Sequence, residues 1–353
     1  MNTTGGSGAA VQVDGQVVHK FTSPQFFPKL LAEANWLRWV SESASSHISR
    51  RFPVILDFPS LDSPVLTMQL LKATDARSII MEESFDVMPA LRKAIRFAFF
   101  ELGENQRTSP WNTGSWCAEH LRISLNKSEG LHPIVKGIRS SKYLDFGQGS
   151  QQNPLQFGCP DAQYYLEKST PPWVQVIHGD LHLGNVLVGD DGLNFYFVDP
   201  RGEWGGRRHF DAAYDIAKLL HEPSYVAART SASPFVIRLG STVTKFRQAA
   251  PSPFAGRLAK LSRISMELAR DACKGFESDD KLIAARSTLY TGVLLISILR
   301  FPHSISYDTS MLLTQGLRWM EAGISAITEE AGLEECFPVW EELHKTIPSR
   351  WND

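Results

Sequence analysis

At 353 residues the chain is long for a single core, so two lobes or domains are expected. It is 43% hydrophobic and 21% charged, with 20 Phe and 9 Trp, enough apolar material for a large buried core. The formal charge of −2, without clustered basic residues, excludes the electrostatic footprint of a nucleic-acid binder.

Residues 1–13 have neither a basic n-region nor a long apolar core, so no signal peptide is expected. Ala9–Phe21 reads as two β-runs around an Asp14-Gly15 turn. A helix over residues 24–42 follows, then strands in "FPVILDF" and "PVLTMQLL". Past residue 77 the pattern turns helical. Met88, Leu91, Ile95 and Phe99 recur at spacings of three and four, and a second helical stretch covers about 115–137. Residues 140–160, rich in Ser, Gly, Gln and Pro, read as a loop. Val176–Gly206 holds two short apolar strands around an acidic turn, Gly189–Gly192. Further helices are predicted near 211–222, 254–275, 279–300 and 308–330. The apolar run Leu289–Leu299 is too short to span a bilayer and meets Arg300, so it reads as a buried core helix and no membrane partner is expected. Cys117, Cys159, Cys273 and Cys336 are far apart without C-x-x-C spacing. That suits reduced thiols and a cytoplasmic protein. The economical organisation is a small β-rich lobe, residues 1–76, joined to a larger helical lobe, residues 77–353.

Three polar residues stand out in the hairpin region. Asp180 and Asn185 are five residues apart in "DLHLGN", and Asp199 ends the returning strand. Pairing the strands brings Asn185 and Asp199 to one open end beside Asp180. Hard oxygen donors at such a rim suit Mg²⁺, which takes few protein carboxylates and completes its shell with water and phosphate oxygens.

The order "HGDLHLGN", then "FVDP", then "DAAYDIAKLL" resembles the catalytic loop, metal-binding aspartate and following helix of the aminoglycoside phosphotransferase and choline kinase family. These are small-molecule relatives of the protein kinases. The resemblance implies a two-lobed, protein-kinase-like α+β fold, with ATP or GTP as phosphoryl donor and Mg²⁺ held by Asn185 and Asp199. Asp180 would orient the acceptor hydroxyl and take its proton late, and Asp215 would brace the loop. Kinase chemistry also needs a glycine-rich turn, a strand lysine and a helix glutamate. Gly5, Gly6, Ser7 and Gly8 precede the first strand, Lys20 lies on the next, and Glu33 on the helix after it. The bland alternative for the glycine run is a frayed chain end. Glu33 shares a stripe with Phe26, Leu30, Leu37 and Val40, where an unpaired carboxylate is costly, and Lys20 is its natural partner. Gln69 and Leu71, in "MQLL", would present backbone groups to a purine. The family usually has a strand before the glycine run, whereas only Met1–Thr4 precede it here.

Arg201, Glu203 and Trp204 form either a solvated loop or a wall of the acceptor site, with Trp204 stacking on a sugar-like face. "DPRG" differs from the better-known antibiotic kinases. No Ser, Thr or Tyr lies between Asp199 and Phe210 and no A-P-E motif follows, so a protein-kinase activation segment is missing. The expected acceptor is a small hydroxylated molecule, sugar or sugar-like, walled in by helices from about 254 to 330. Two alternatives remain at this level. One is a nucleotide-binding module without turnover. The other is a metallohydrolase using the H-x-D-x-H run of His178, Asp180 and His182, although His178 alone reads as a packed histidine bracing the loop.

Overall fold

The computed structural model describes residues 3–4, 9–103, 106–147, 149–156, 161–204, 206–230, 235–248 and 255–343. Its contacts group the chain into two compact units, residues 1–108 with 174–215 and residues 109–173 with 216–353. This grouping is not a division in chain order at residue 76. The segment Ala73–Asp75 pairs antiparallel with Val186–Gly189 and draws the later hairpin into the first unit.

The first unit opens with strands β1 (Thr3–Thr4), β2 (Ala9–Asp14) and β3 (Val17–Thr22), then helix α1 (Phe27–Ser43), and then β4 (Ile55–Asp57) and β5 (Val65–Gln69). The five strands form an antiparallel sheet in the order β1-β2-β3-β5-β4. A strand does therefore precede the glycine run: Thr3 and Thr4 pair with Val11 and Ala10. The run itself, Gly5, Gly6, Ser7 and Gly8, lies outside the described residues.

Helix α1 follows a short 3₁₀ turn at Pro24–Phe26, and Pro28 near its start fits a position where no intrahelical N–H is needed. Leu30, Leu37 and Val40 on its stripe are buried, as expected, and Glu33 is buried with them. Helices Ala76–Glu82 and Met88–Arg96 follow, and the second runs into a π-type turn at Phe97–Glu101. Beneath the later hairpin lies an aromatic cluster. Phe197 stacks on Phe52 and Phe97 at 5.5 and 5.7 Å between centroids, and Trp36 meets Phe52 edge-on at 5.0 Å.

The second unit is mainly helical. Helices Thr113–Leu131, Pro133–Ser140, Asp161–Lys168, Ala255–Phe276, Ile283–Ile298, Thr309–Thr328 and Leu333–Leu343 surround a core in which Ile283–Ile298 is buried along nearly its whole length. That is the core helix expected from its uniform apolarity. The helix Ala213–Arg229 carries the chain from the first unit into the second.

Two expectations change. The stretch over 115–137 is broken before Pro133, which opens a new helix. Residues 140–160 are not all loop, because Tyr143–Asp145 and Ser150–Gln152 pair as a hairpin. Val243–Gln248 runs parallel to the first of these strands and antiparallel to Phe235–Arg238, completing a four-stranded sheet pinned by Phe146 stacked on Phe246. Pairing between strands that far apart leaves no local signature. Cys117, Cys273 and Cys336 are buried. Among the described residues no helix is long and apolar enough to cross a membrane.

Candidate active site

The hairpin Val186–Gly189 and Phe195–Phe197 pairs Val186 with Phe197, and just beyond it Val198 N–H donates to Asn185 O at 3.1 Å. This register places Asn185 and Asp199 at the same end. The preceding loop is held from behind by Asp215, whose two carboxylate oxygens accept the N–H groups of His178 and Gly179 at 2.8 Å each. Burial pushes the Asp215 carboxyl up to about 7, against the pull of those N–H groups.

His178 Nε2 donates to Val198 O at 3.0 Å and its Nδ1 accepts from Asp180 N–H at 3.3 Å, so the ring is a brace between loop and hairpin. Arg201 N–H returns to His178 O at 2.9 Å. Gly179 has φ +79°, and an added Cβ would lie 2.2 Å from the Trp204 ring, so only glycine fits there. Asn185 Nδ2 donates to Asp180 O at 2.9 Å, which fixes the amide and leaves Oδ1 as its ligand atom.

Lys20 joins this loop to the sheet. Its Nζ lies 2.7 Å from Glu33 Oε2 and 2.8 Å from Asp199 Oδ1. Burial alone would lower the lysine's pKa, but the carboxylates of Asp199 and Glu33 outweigh it and hold the ammonium above the ordinary lysine range. Glu33 is 2% exposed, and burial raises its carboxyl to about 7 while Lys20 pulls the other way. Its second oxygen, Oε1, is buried without a hydrogen-bond partner. Asp199, in contrast, has a side chain 45% exposed and a backbone φ of +57°, a left-handed conformation that costs a non-glycine residue about 1 kcal/mol or more.

The structure thus brings Lys20, Glu33, Asp180, Asn185 and Asp199 into one unit, linked directly or through the loop. Other expectations fare differently. Gln69 N–H goes to Val54 O and Leu70 N–H to Gln16 O, so the sheet uses the first donors of the "MQLL" stretch and Leu71 lies just past the ladder.

Trp204 is no stacking platform. It is 1% exposed, with one face on Phe210 at 4.8 Å and its ring edge against Gly179, so it packs the back of the loop. Arg201 donates to Tyr214 OH at 2.9 Å and lies over the Trp204 ring, while Glu203 is exposed. For the H-x-D-x-H alternative, the histidine nitrogens are largely committed to other partners. Both His178 nitrogens are engaged, and His182 Nδ1 accepts from Arg77 Nη2 at 3.1 Å. Among the described residues no group of three or more His, Cys, Asp or Glu could hold a metal ion.

Sequence reasoning missed three contributors. Arg77 packs its guanidinium where a Cβ on Gly184 would sit. Gly202, at φ +94°, sets the chain after Asp199 flush against Ala32 on α1, where an added Cβ would lie 2.5 Å from the Ala32 carbonyl. Lys29 sits one turn before Glu33. Its position four residues ahead of a buried carboxylate was the available signal.

No protein-family model matches the chain, and no curated protein matches it. Among solved structures it is similar to a glucosamine kinase in complex with glucosamine, ADP and inorganic phosphate, at 15% identity over 94% of this chain and 77% of that one, with a TM-score of 0.39. It is also similar to choline kinase from Cryptosporidium parvum Iowa II, at 8% identity over 98% of this chain and 93% of that one, with a TM-score of 0.44. Both are small-molecule kinases.

Proposed function

We propose that the protein transfers the γ-phosphoryl group of ATP or GTP to a hydroxyl of a small polar molecule, a sugar or sugar-like metabolite. One observation carries the reading: a buried lysine is shared between a helix carboxylate and the carboxylate that ends the hairpin, at 2.7 and 2.8 Å. A purely structural ion pair has no use for a third, exposed acidic member in a strained backbone conformation.

Lys20, fixed by Glu33, would meet the donor's phosphates. Asn185 Oδ1 and Asp199 fit Mg²⁺ by donor type, since both are hard oxygens and the Asn185 amide nitrogen is already tied to Asp180 O. Mg²⁺ bound there would offset the charge on the phosphates. In the transfer, the acceptor oxygen forms a bond to the γ-phosphorus and the bond to the β–γ bridging oxygen breaks. The hydroxyl proton passes to Asp180, and the nucleoside diphosphate leaves. A carboxylate of ordinary basicity suffices, because a loose transition state needs the proton removed only late.

In this reading the glycine run covers the phosphates, Leu71 with Gln69 borders the base, and residues 1–76 act as the nucleotide lobe of a cytoplasmic enzyme. Arg201 and Glu203 remain candidates for the acceptor wall. Trp204 supports the loop instead.

The test is acceptor-dependent ADP release with Mg²⁺, screened across sugars, aminoglycosides, amino alcohols and nucleosides. Asp180→Asn is expected to lower turnover by about 10²–10⁴-fold with nucleotide affinity nearly intact. Near-normal turnover in that variant would sink the assignment. Nucleotide binding by the wild type with no acceptor-dependent release would make the chain a binding module.

A further inference from the structure

We propose that Lys29 is a second cation of the phosphate-binding centre, meeting the donor's terminal phosphates beside Lys20. The proposal rests on the phosphotransferase reading and extends it to a residue outside the expected kinase set.

Three observations carry it. Lys29 lies in the first turn of α1, four residues before Glu33, so the two side chains share a face of the helix. That region of α1 is pinned to the chain following Asp199, because Gly202 approaches Ala32 too closely to carry a Cβ. Lys29, three residues before Ala32 and four before Glu33, starts from that same side of the helix.

The charge balance is the second observation. The centre holds the carboxylates of Asp180, Asp199 and Glu33, and all three act on the Lys29 charge, as does the ammonium of Lys20. Crowding by protein lowers the Lys29 pKa, with the three carboxylates opposing. Lys20 already gives two of its three N–H groups to Glu33 and Asp199. A second ammonium beside these three carboxylates adds to the positive charge that Lys20 and a bound Mg²⁺ would bring to the phosphates.

Exposure is the third. Lys20 is buried and immobile, whereas the Lys29 side chain is exposed, at the end of a flexible stem. Glu33 Oε1, one turn away, is buried and has no hydrogen-bond donor, Lys29 included. The long stem lets the ammonium reach from the helix toward an incoming phosphate.

The experiment measures binding of inorganic tripolyphosphate, adenosine and ATP to the full chain by calorimetry, alongside the thermal unfolding midpoint. Lys29→Met is expected to weaken tripolyphosphate binding by about tenfold, the loss of one charge-assisted contact. Adenosine affinity and the unfolding midpoint should stay unchanged, and Lys29→Arg should restore most of the tripolyphosphate affinity. If Lys20→Met weakens tripolyphosphate binding and Lys29→Met does not, the Lys29 role is overturned and the phosphotransferase reading stands. A loss in Lys29→Met that comes with a lower midpoint and no rescue by arginine also overturns it. A wild-type chain that binds neither ATP nor tripolyphosphate overturns both.

Discussion

Each unit buries an ionic group, and the two are built on opposite plans. In the second unit Arg286 and Asp280 form a closed fork: Nη1 donates to Oδ1 at 3.0 Å, Nη2 bonds Oδ2, and Leu282 N–H adds a bond to Oδ1 at 3.2 Å. Both side chains are almost wholly buried. In the first unit Lys20 is divided between two carboxylates, one of them with an oxygen left without a donor and the other open to solvent. A closed bidentate pair has nothing further to bind. An under-satisfied triad that opens on one side keeps capacity for a ligand, at a cost in stability that its surroundings must offset.

Breaking the closed pair should have the largest effect on folding. Asp280→Asn or Arg286→Met leaves an uncompensated buried group, and unfolding stability is expected to drop by about 3–5 kcal/mol. Urea unfolding followed by helix content of the second unit measures this. Replacing both residues with apolar ones of similar volume should recover much of the loss. If the single variants are as stable as the wild type, the pair is not closed in the sense argued.

Opening the triad should cost less. Lys20→Met strands Glu33, but burial has already pulled that carboxyl up to about 7, so it can take a proton instead of remaining an unpaired charge. The expected loss is about 1–3 kcal/mol. The sign of its pH dependence follows. Without Lys20 the folded-state pKa of Glu33 rises further above the unfolded value of 4.5, so the folded chain holds a proton that the unfolded chain releases. The stability this provides is present in acid and is lost as pH rises through the folded pKa. The deficit against wild type should therefore be smallest below about pH 7 and widen above it, which urea midpoints across pH can read. In kcat/KM, Lys20→Met and Glu33→Gln should be strongly non-additive, because either change dissolves the same arrangement. Additive losses would show the two residues acting separately.

The smallest expected effect sharpens the contrast from the second unit. His132 is buried, with Nε2 2.9 Å from Ser304 Oγ and Nδ1 3.1 Å from Thr309 Oγ1. Burial lowers its pKa below 6.5. Below that pH the unfolded chain binds a proton the folded chain resists, so stability should fall as pH drops from 6.5. His132→Gln should remove this component of the acid slope of the unfolding midpoint. An unchanged slope would show that His132 does not contribute to it.

The parts of the site legible in the sequence were those whose geometry is local. Asp180 and Asn185 are set by five residues of loop, and Asp199 by the register of a short hairpin. Glu33 was legible because a carboxylate on an apolar helix stripe must find a partner, and a lysine on the preceding strand was the obvious one. Trp204 was misread because its environment is made by Gly179, more than twenty residues earlier, whose missing Cβ opens the slot for the ring. Lys29 was passed over since a lysine in the first turn of a helix ordinarily reads as solvated. At the level of fold, alternation and helical period revealed most elements. The sheet joining Tyr143–Asp145 to Val243–Gln248 depends on a partner about a hundred residues away, which no window of sequence contains. The interleaving of the two units was hidden for the same reason.

That interleaving sets an order of assembly during synthesis. Thr108 and Val174 exchange backbone hydrogen bonds at 2.8 and 3.1 Å, closing the base of residues 109–173, which belong to the other unit. As the chain leaves the ribosome, the first unit has its complete set of strands and its bracing Asp215 once residue 215 has emerged. The helix Thr113–Leu131, already made, packs against Ile283–Ile298, which comes about 150 residues later. It must wait with that face uncovered, inside a long insertion between Thr108 and Val174. Slow or stalled translation between residues 215 and 283 should therefore leave that face uncovered longest.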